Sequence, residues 1–398
     1  MSTFVAILGL AFLILIHEAG HFYAALAVKM RPRKFYIGFP PPLARVRRRG
    51  IEYGIGTIPL GGYVKIPGMH RPAARDLDIR LQPVVRRVPS LVPKVEAVKR
   101  PLATGDYDAA RYALTDLDTA LREAGEPTDG LTDVRDALSD DAYWRQRAWK
   151  KILVIFAGPG TNALFAVVVF AILFMTGGGK ATATIDQVVP KTPAAHMALR
   201  AGDRIVAING QPVTKAADIP KRISGSQGKP ITLQVDRGDR ILILGPTRPE
   251  RIQGVYRLGF ALKGKGLPPA AAFWNAVKLT GIVSREIISS LTHLVHKEGR
   301  DQISSPVGIV RGSSAAANEG TDTYLWTLGL ISLSLALLNL LPLLPLDGGH
   351  ILLSLLEAVR RRAIPREVYE RFSAVGIALV LMLFFIGLSN DVGRIGGG

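Results

Sequence analysis

Four apolar runs punctuate the chain, at residues 4–28, 152–175, 324–346 and 372–388. Each reaches the roughly 17–25 residues that carry a helix across a hydrocarbon core of about 30 Å, so each predicts a membrane span. Between the first two, residues 51–66 place β-branched and aromatic side chains around Pro59-Leu60-Gly61-Gly62 and predict a β-hairpin or loop. Residues 68–141 open rich in Pro, Arg and Asp. Tyr112, Leu114, Leu117 and Leu121 then recur at helical spacing, so the segment reads as a linker followed by a small helical hairpin with a solvated charged face. Between spans two and three, residues 182–189 and 231–235 read as strands and 194–201 as a short helix. Residues 201–213 alternate apolar positions and contain an Asn209-Gly210 turn. Residues 273–296 read as an amphipathic helix on the outer surface, where His293 and His296, next to Lys297 and Glu298, are expected to be solvated.

The expected organisation follows. Spans occupy 1–28, 151–176, 324–350 and 372–390, separated by a hairpin region at 29–67, a linker and helical insert at 68–150, a sheet-rich α+β domain at 177–265, an amphipathic helix and linker at 266–323, and a helix and loop at 351–371.

Charge orients these spans. No Lys or Arg precedes the first apolar run, whereas Lys29, Arg31, Arg33 and Lys34 follow it at once. That order is the reverse of a signal peptide, despite the small-x-small look of Ala25-Leu26-Ala27, and reads as a retained span. Basic residues recur at Arg360, Arg361, Arg362, Arg366 and Arg371, in the alternate loop, so the positive-inside rule puts both loops in the cytoplasm and residues 177–323 and both termini outside. A net charge of +18 raises nucleic acid as a partner, but the basic runs carry no interleaved aromatic stacking residues, and no nucleic acid is expected. The chain has no cysteine, so any metal must be held by His, Asp or Glu.

Inside the first run stands His17-Glu18-Ala19-Gly20-His21. Residues four apart share a helix face, so the two histidines can hold one metal ion with the Glu18 carboxylate beside it as a general base. Only 7 of 398 residues are His, which makes a chance pair at this spacing uncommon. Ionisable groups at membrane depth cost roughly 2.5–3.5 kcal/mol each on insertion scales, and their default reading is functional. Two histidines leave a zinc site incomplete. Asp347, in Asn339-Leu340-Leu341-Pro342-Leu343-Leu344-Pro345-Leu346-Asp347-Gly348-Gly349-His350, is the best third ligand, because the prolines and the Gly pair break the third span at membrane depth. Capping of the following helix is the plain alternative for Asp347. Both motifs fall in the cytoplasmic half of their spans, so they can meet.

With both motifs in view, the chain resembles the site-two protease family, specifically bacterial intramembrane zinc metalloproteases of regulated intramembrane proteolysis with one PDZ domain. The resemblance also rests on the Gly-Gly-Tyr hairpin, Ala157-Gly158-Pro159-Gly160-Thr161-Asn162, Ser305-Pro306-Val307-Gly308-Ile309, and the run from Ala201-Gly202-Asp203 through Asn209-Gly210, with Arg257-Leu258-Gly259-Phe260 like a PDZ closing strand or peptide-end loop. It implies Zn²⁺ held by His17, His21 and Asp347, with Glu18 as general base and Asn339 helping to position the substrate strand. Gly54 and Gly56 would belong to a membrane-associated β-loop that pairs with unwound substrate, while Asn162 and His350 match family patterns too, with packing or support of the ligands an equal alternative for either. The implied fold is an α-helical polytopic membrane protein with four transmembrane helices, a membrane-associated β-hairpin and an inserted α+β PDZ domain. The implied partners are a single-span transmembrane substrate of the anti-sigma-factor or signal-peptide-remnant type, the lipid bilayer of a bacterial cell membrane, and a peptide or chain end at the PDZ-like domain. The insert at 68–141 is longer than the family leads one to expect. A membrane-anchored PDZ adaptor with a structural or vestigial metal site is the competing reading, whereas a zinc transporter lacks the His-rich loop it needs.

Overall fold

The computed structural model describes residues 1–252, 254–293 and 304–396. The chain opens with helix α1 (Ser2–Ala27) and two long strands, β1 (Lys34–Arg48) and β2 (Ile51–Lys65). Four short helices follow: α2 (Ala74–Arg87), α3 (Val92–Thr104), α4 (Tyr107–Glu123) and α5 (Thr132–Leu138). Then come α6 (Ala148–Leu173), β3 (Lys180–Val188), α7 (Pro193–His196), β4 (Arg204–Ile208), β5 (Gln211–Pro212) and α8 (Asp218–Ser224). Strands β6 (Ile231–Arg237), β7 (Arg240–Thr247), β8 (Glu250–Ile252), β9 (Val255–Arg257) and β10 (Phe260–Lys265) lead to α9 (Pro269–His293). The chain closes with α10 (Pro306–Glu319), α11 (Thr321–Asn339), α12 (Asp347–Arg360) and α13 (Arg366–Gly396). Expected helix residues 294–296, including His296, lie outside the described residues.

The helices Ser2–Ala27, Ala148–Gly178, Thr321–Asn339 and Glu367–Gly393 are long and apolar enough to cross a membrane. Large side chains such as Phe4, Leu8 and Phe12 on α1 and Phe384 and Phe385 on α13 stand exposed, as a lipid-facing surface requires. The contacts divide the chain into one unit of residues 1–166 and 283–398 and another of residues 167–282.

In the first unit, β1 and β2 form a bent sheet whose hairpin turn is Arg49-Gly50, both residues with left-handed φ. This corrects the sequence reading, which put the turn at Pro59-Leu60-Gly61-Gly62 and began the hairpin at residue 51. The run Pro40-Pro41-Pro42 argues against a strand on composition, but it sits at the irregular bend between Phe39 and Ala44 and so removes few ladder bonds. Because both strands bend, residues 34–37 pair on one side with residues 52–55 and on the other with residues 62–65, while residues 44–48 pair with the far side of residues 51–55.

The stretch after residue 74 is helical, not the linker its composition predicts. Pro93, in the first turn of α3, needs no N–H partner, and the interior Pro83 of α2 and Pro101 of α3 are carried by packing: Leu77, Leu81, Val84, Val95, Val98 and Leu102 join Leu114, Leu117 and Leu121 in one buried core. Charge ties these helices to the sheet. Asp136 on α5 meets Arg33 at 3.0 Å and Lys65 at 3.0 Å, Asp141 meets Arg33 at 2.9 Å, and Asp133 meets Lys65 at 2.7 Å.

The second unit holds an antiparallel sheet of order β10-β3-β4-β6-β7, with β5 paired to β4 across the Asn209-Gly210 turn, and a separate β8–β9 ribbon. Ile185, Ile205, Ile208, Leu233 and Val235 are buried in one core with Ile219 and Ile223 of α8. The short helix expected over 194–201 is the single turn α7.

Candidate metal centre

Helix α1 buries His17 and His21 on one face, each 7% exposed, in an otherwise apolar segment. α6 lies against that face at backbone distance: a Cβ on Gly158 would stand 2.2 Å from His21 Nε2, so only glycine leaves the ring its place. Thr161 on the same helix donates to the Ile16 carbonyl at 3.0 Å, joining the two helices. His21 Nδ1 donates to the Val154 carbonyl at 2.8 Å, which selects the tautomer whose Nε2 carries a free lone pair.

That lone pair faces two others. His21 Nε2 lies 3.3 Å from His17 Nε2, and Asp347 Oδ2 lies 3.2 Å from His17 Nε2 and 3.4 Å from His21 Nε2. Asp347 reaches this position as the first residue of α12, after the irregular segment that follows α11. Its Oδ2 is buried and accepts no hydrogen bond among the described residues. Electron-rich atoms crowded together in a dry site repel one another unless a cation sits among them. The centre of a triangle with these sides lies about 1.9 Å from each corner, close to the 2.0–2.2 Å at which zinc meets imidazole nitrogen and carboxylate oxygen. The donor set and its spacing therefore fit one zinc ion.

Glu18 leaves α1 beside this triangle, toward the sheet. A Cβ on Gly62 would stand 2.2 Å from Glu18 Cγ, and the Val64 backbone lies beside the Glu18 carboxylate. The outer strand segment at residues 62–65 therefore runs past the carboxylate, with residues 34–37 on one side and no further strand on the other among the described residues. Gly54 and Gly56 are elsewhere. Gly54 pairs with Tyr36 and with Arg45 on its two sides, so its backbone is inside the sheet, and Gly56 is opposite Pro42. The residues that sequence reasoning missed are Gly62 and Val64, for which the Gly-Gly-Tyr motif was the available signal. Asn339 is the last residue of α11, where the span gives way to the segment leading to Asp347. Asn162 is fully buried on α6, and its backbone carbonyl accepts from Ser332 Oγ at 2.9 Å. His350 lies in the first turn of α12. The Ser-Pro-Val-Gly motif has a structural use: Asp391 accepts from Ser305 N at 2.8 Å, Ser305 Oγ at 2.6 Å and Gly308 N at 3.1 Å, fastening the start of α10 to the end of α13.

Apolar helices of spanning length and a His-His-Asp cluster with a carboxylate alongside are the parts of a membrane metalloprotease. The profile of Peptidase family M50 matches residues 5–383, and the chain belongs to this family, that of the site-two proteases. A Lactococcus lactis protein named as a zinc metalloprotease is 29% identical over 437 residues, covering 99% of this chain and 98% of its own. An Enterococcus faecalis protein named "Probable protease eep" is 27% identical over 423 residues, with 98% of both chains covered. A Streptococcus pneumoniae strain R6 protein, again named as a zinc metalloprotease, is 26% identical over 422 residues, covering 99% of this chain and 98% of its own. The protein is thus a zinc metalloprotease with the helices of a membrane protein.

Proposed function

We propose that this protease cuts peptide bonds inside the membrane spans of single-span proteins, of the anti-sigma-factor or signal-peptide-remnant type, in regulated intramembrane proteolysis at a bacterial cell membrane. The observation that carries this reading is the burial of His17 and His21 within an apolar helix of spanning length, where an ordinary soluble substrate has no path. His17, His21 and Asp347 hold zinc in this reading, and Glu18 is the general base. Bound zinc supplies Lewis acidity and lowers the pKa of water to about 7. Glu18 takes up the proton that the attacking water gives off and returns it to the leaving amine. A helical peptide bond is shielded by its own hydrogen bonds, so the substrate must unwind first. The edge at residues 62–65 offers main-chain pairing for the unwound segment next to Glu18, which makes it a better docking edge than Gly54 or Gly56. Asn339 is taken to steady that segment.

In the same reading the helical insert is cytoplasmic, and the sheet of the second unit and both termini are outside. The second unit is read as a PDZ-like domain that takes a peptide or chain end by strand addition. Its outer strand β10 and the Gly202-Asp203 and Asn209-Gly210 signals support this.

The test uses purified wild type, Glu18→Gln and Asp347→Asn in lipid vesicles with a single-span substrate, reading zinc content and mapping the cut by mass spectrometry. Wild type should cut within the hydrocarbon segment. Glu18→Gln should keep its zinc and lose about 10²–10⁴-fold in rate, whereas Asp347→Asn should lose metal and activity together. Cuts confined to the soluble tails of the substrate would overturn the intramembrane reading. Full zinc in Asp347→Asn would remove Asp347 from the ligand set.

A further inference from the structure

Arg361 and Arg362, at the end of α12, take no part in the metal centre, and among the described residues neither forms an ion pair. They line a cavity of about 470 Å³ together with Arg71, Trp144, Lys151 and Glu357. Lys151 is already neutralised, 3.0 Å from Glu357. Arg71 lies over the Trp144 ring at 5.2 Å and has no carboxylate partner among the described residues. The mouth of the cavity thus carries three exposed guanidinium groups with no carboxylate partner among the described residues, a concentration of like charge that attracts an anion from outside. Guanidinium presents a rigid fork of donors suited to phosphate oxygens.

The place of the cavity selects among phosphates. Its walls include the first turn of α6, the last turn of α12 and Tyr369 in the first turns of α13. α6 and α13 are two of the apolar helices of spanning length, so their ends mark the level at which lipid headgroups lie. The volume is within the about 300–1,000 Å³ of small-ligand sites. We propose that this cavity binds the headgroup phosphate of an anionic phospholipid, held by Arg71, Arg361 and Arg362. Basic pockets between spanning helices are the usual receptacles for such headgroups. The site is separate from the zinc ligands, so its occupancy does not depend on the proposed cleavage.

The experiment compares the full-length protein with Arg361→Gln/Arg362→Gln, and with Arg86→Gln/Arg100→Gln, which removes the same charge from exposed positions of the helical insert. Each is purified in detergent, titrated with phosphatidylglycerol, phosphatidylcholine or inorganic phosphate, and scored by native mass spectrometry and thermal unfolding. Zinc content serves as the control for folding. Wild type and the insert variant should retain phosphatidylglycerol, and the cavity variant should bind it at least about tenfold more weakly. Arg361→Lys/Arg362→Lys should recover part of the loss, since charge remains without the fork. Equal retention by all variants, or equal retention of phosphatidylcholine by wild type, would overturn the proposal. Inorganic phosphate that competes as well as the lipid would assign the cavity to a soluble phosphate and overturn the lipid assignment.

Discussion

Gly158 of α6 faces His21 of α1 so closely that a methyl group there would stand 2.2 Å from the imidazole Nε2. The ring is thus held between a backbone wall and its hydrogen bond to Val154. Gly158→Ala must therefore turn the ring or part the two helices. Zinc affinity should fall by about 10–100-fold, the usual effect of disturbing what orients a ligand. Metal analysis after dialysis against a graded chelator series measures this. Unchanged zinc affinity would show that the ring is free to shift.

Asp136 is 8% exposed and joins Arg33 and Lys65, the residues that bound the sheet segment nearest Glu18. Asp136→Ala should destabilise the docking of the helical insert by about 1.5–3 kcal/mol, the typical worth of hydrogen bonds to charged groups. Because no zinc ligand is touched, metal content should stay constant while faster amide exchange appears at residues 62–65. Loss of zinc in this variant would place the network in the metal site instead.

In the proposed reading the basic loops set the sidedness. Single cysteines at the exposed positions Ser90 and Lys229, in a chain that has none of its own, should react with impermeant maleimide from opposite sides of the membrane. Reaction of both from the same side would refute the four-span arrangement.

Asp203 makes a pH-dependent contribution to the second unit. Burial by itself would raise its pKa, but Arg237 at 2.6 Å and 2.7 Å and the Arg200 N–H at 2.8 Å outweigh burial and hold it below the ordinary carboxylate value. A depressed folded-state pKa means that the stabilisation is complete above the unfolded value of about 3.9 and is lost as pH falls through the folded value. Hydrogen exchange of β4 and β6 in the full-length protein should accelerate as pH drops below about 4, after correction for intrinsic rates. Asp203→Asn should be less stable at neutral pH and lose most of that acid sensitivity. An acid response identical to wild type would assign it to other carboxylates.

Sequence alone determined what depends on local pattern. Length and apolarity mark the spans because a bilayer imposes one thickness, and His17-Glu18-Ala19-Gly20-His21 is legible because helical spacing puts both imidazoles on one face. Asp347 was within reach because an acid between helix breakers at membrane depth has few plain uses. Other features needed the tertiary structure. Pro40-Pro41-Pro42 hid a strand, since proline is tolerated at a bend that composition cannot locate, and that bend is what places residues 62–65, not Gly54, on the outer edge beside Glu18. Helices α2 and α3 of the insert were concealed by their prolines: Pro93 costs little in a first turn, while Pro83 and Pro101 sit in helix interiors that the shared core holds in place. Gly158 stood in a motif that the sequence singled out, but the reason it must be glycine appears only when the partner helix shows what a side chain would strike. Arg71 and Arg361, 290 residues apart, meet at one cavity only because the helices that carry them pack together. Contacts between distant segments depend on packing and bending, and neither has a period that can be read along the chain.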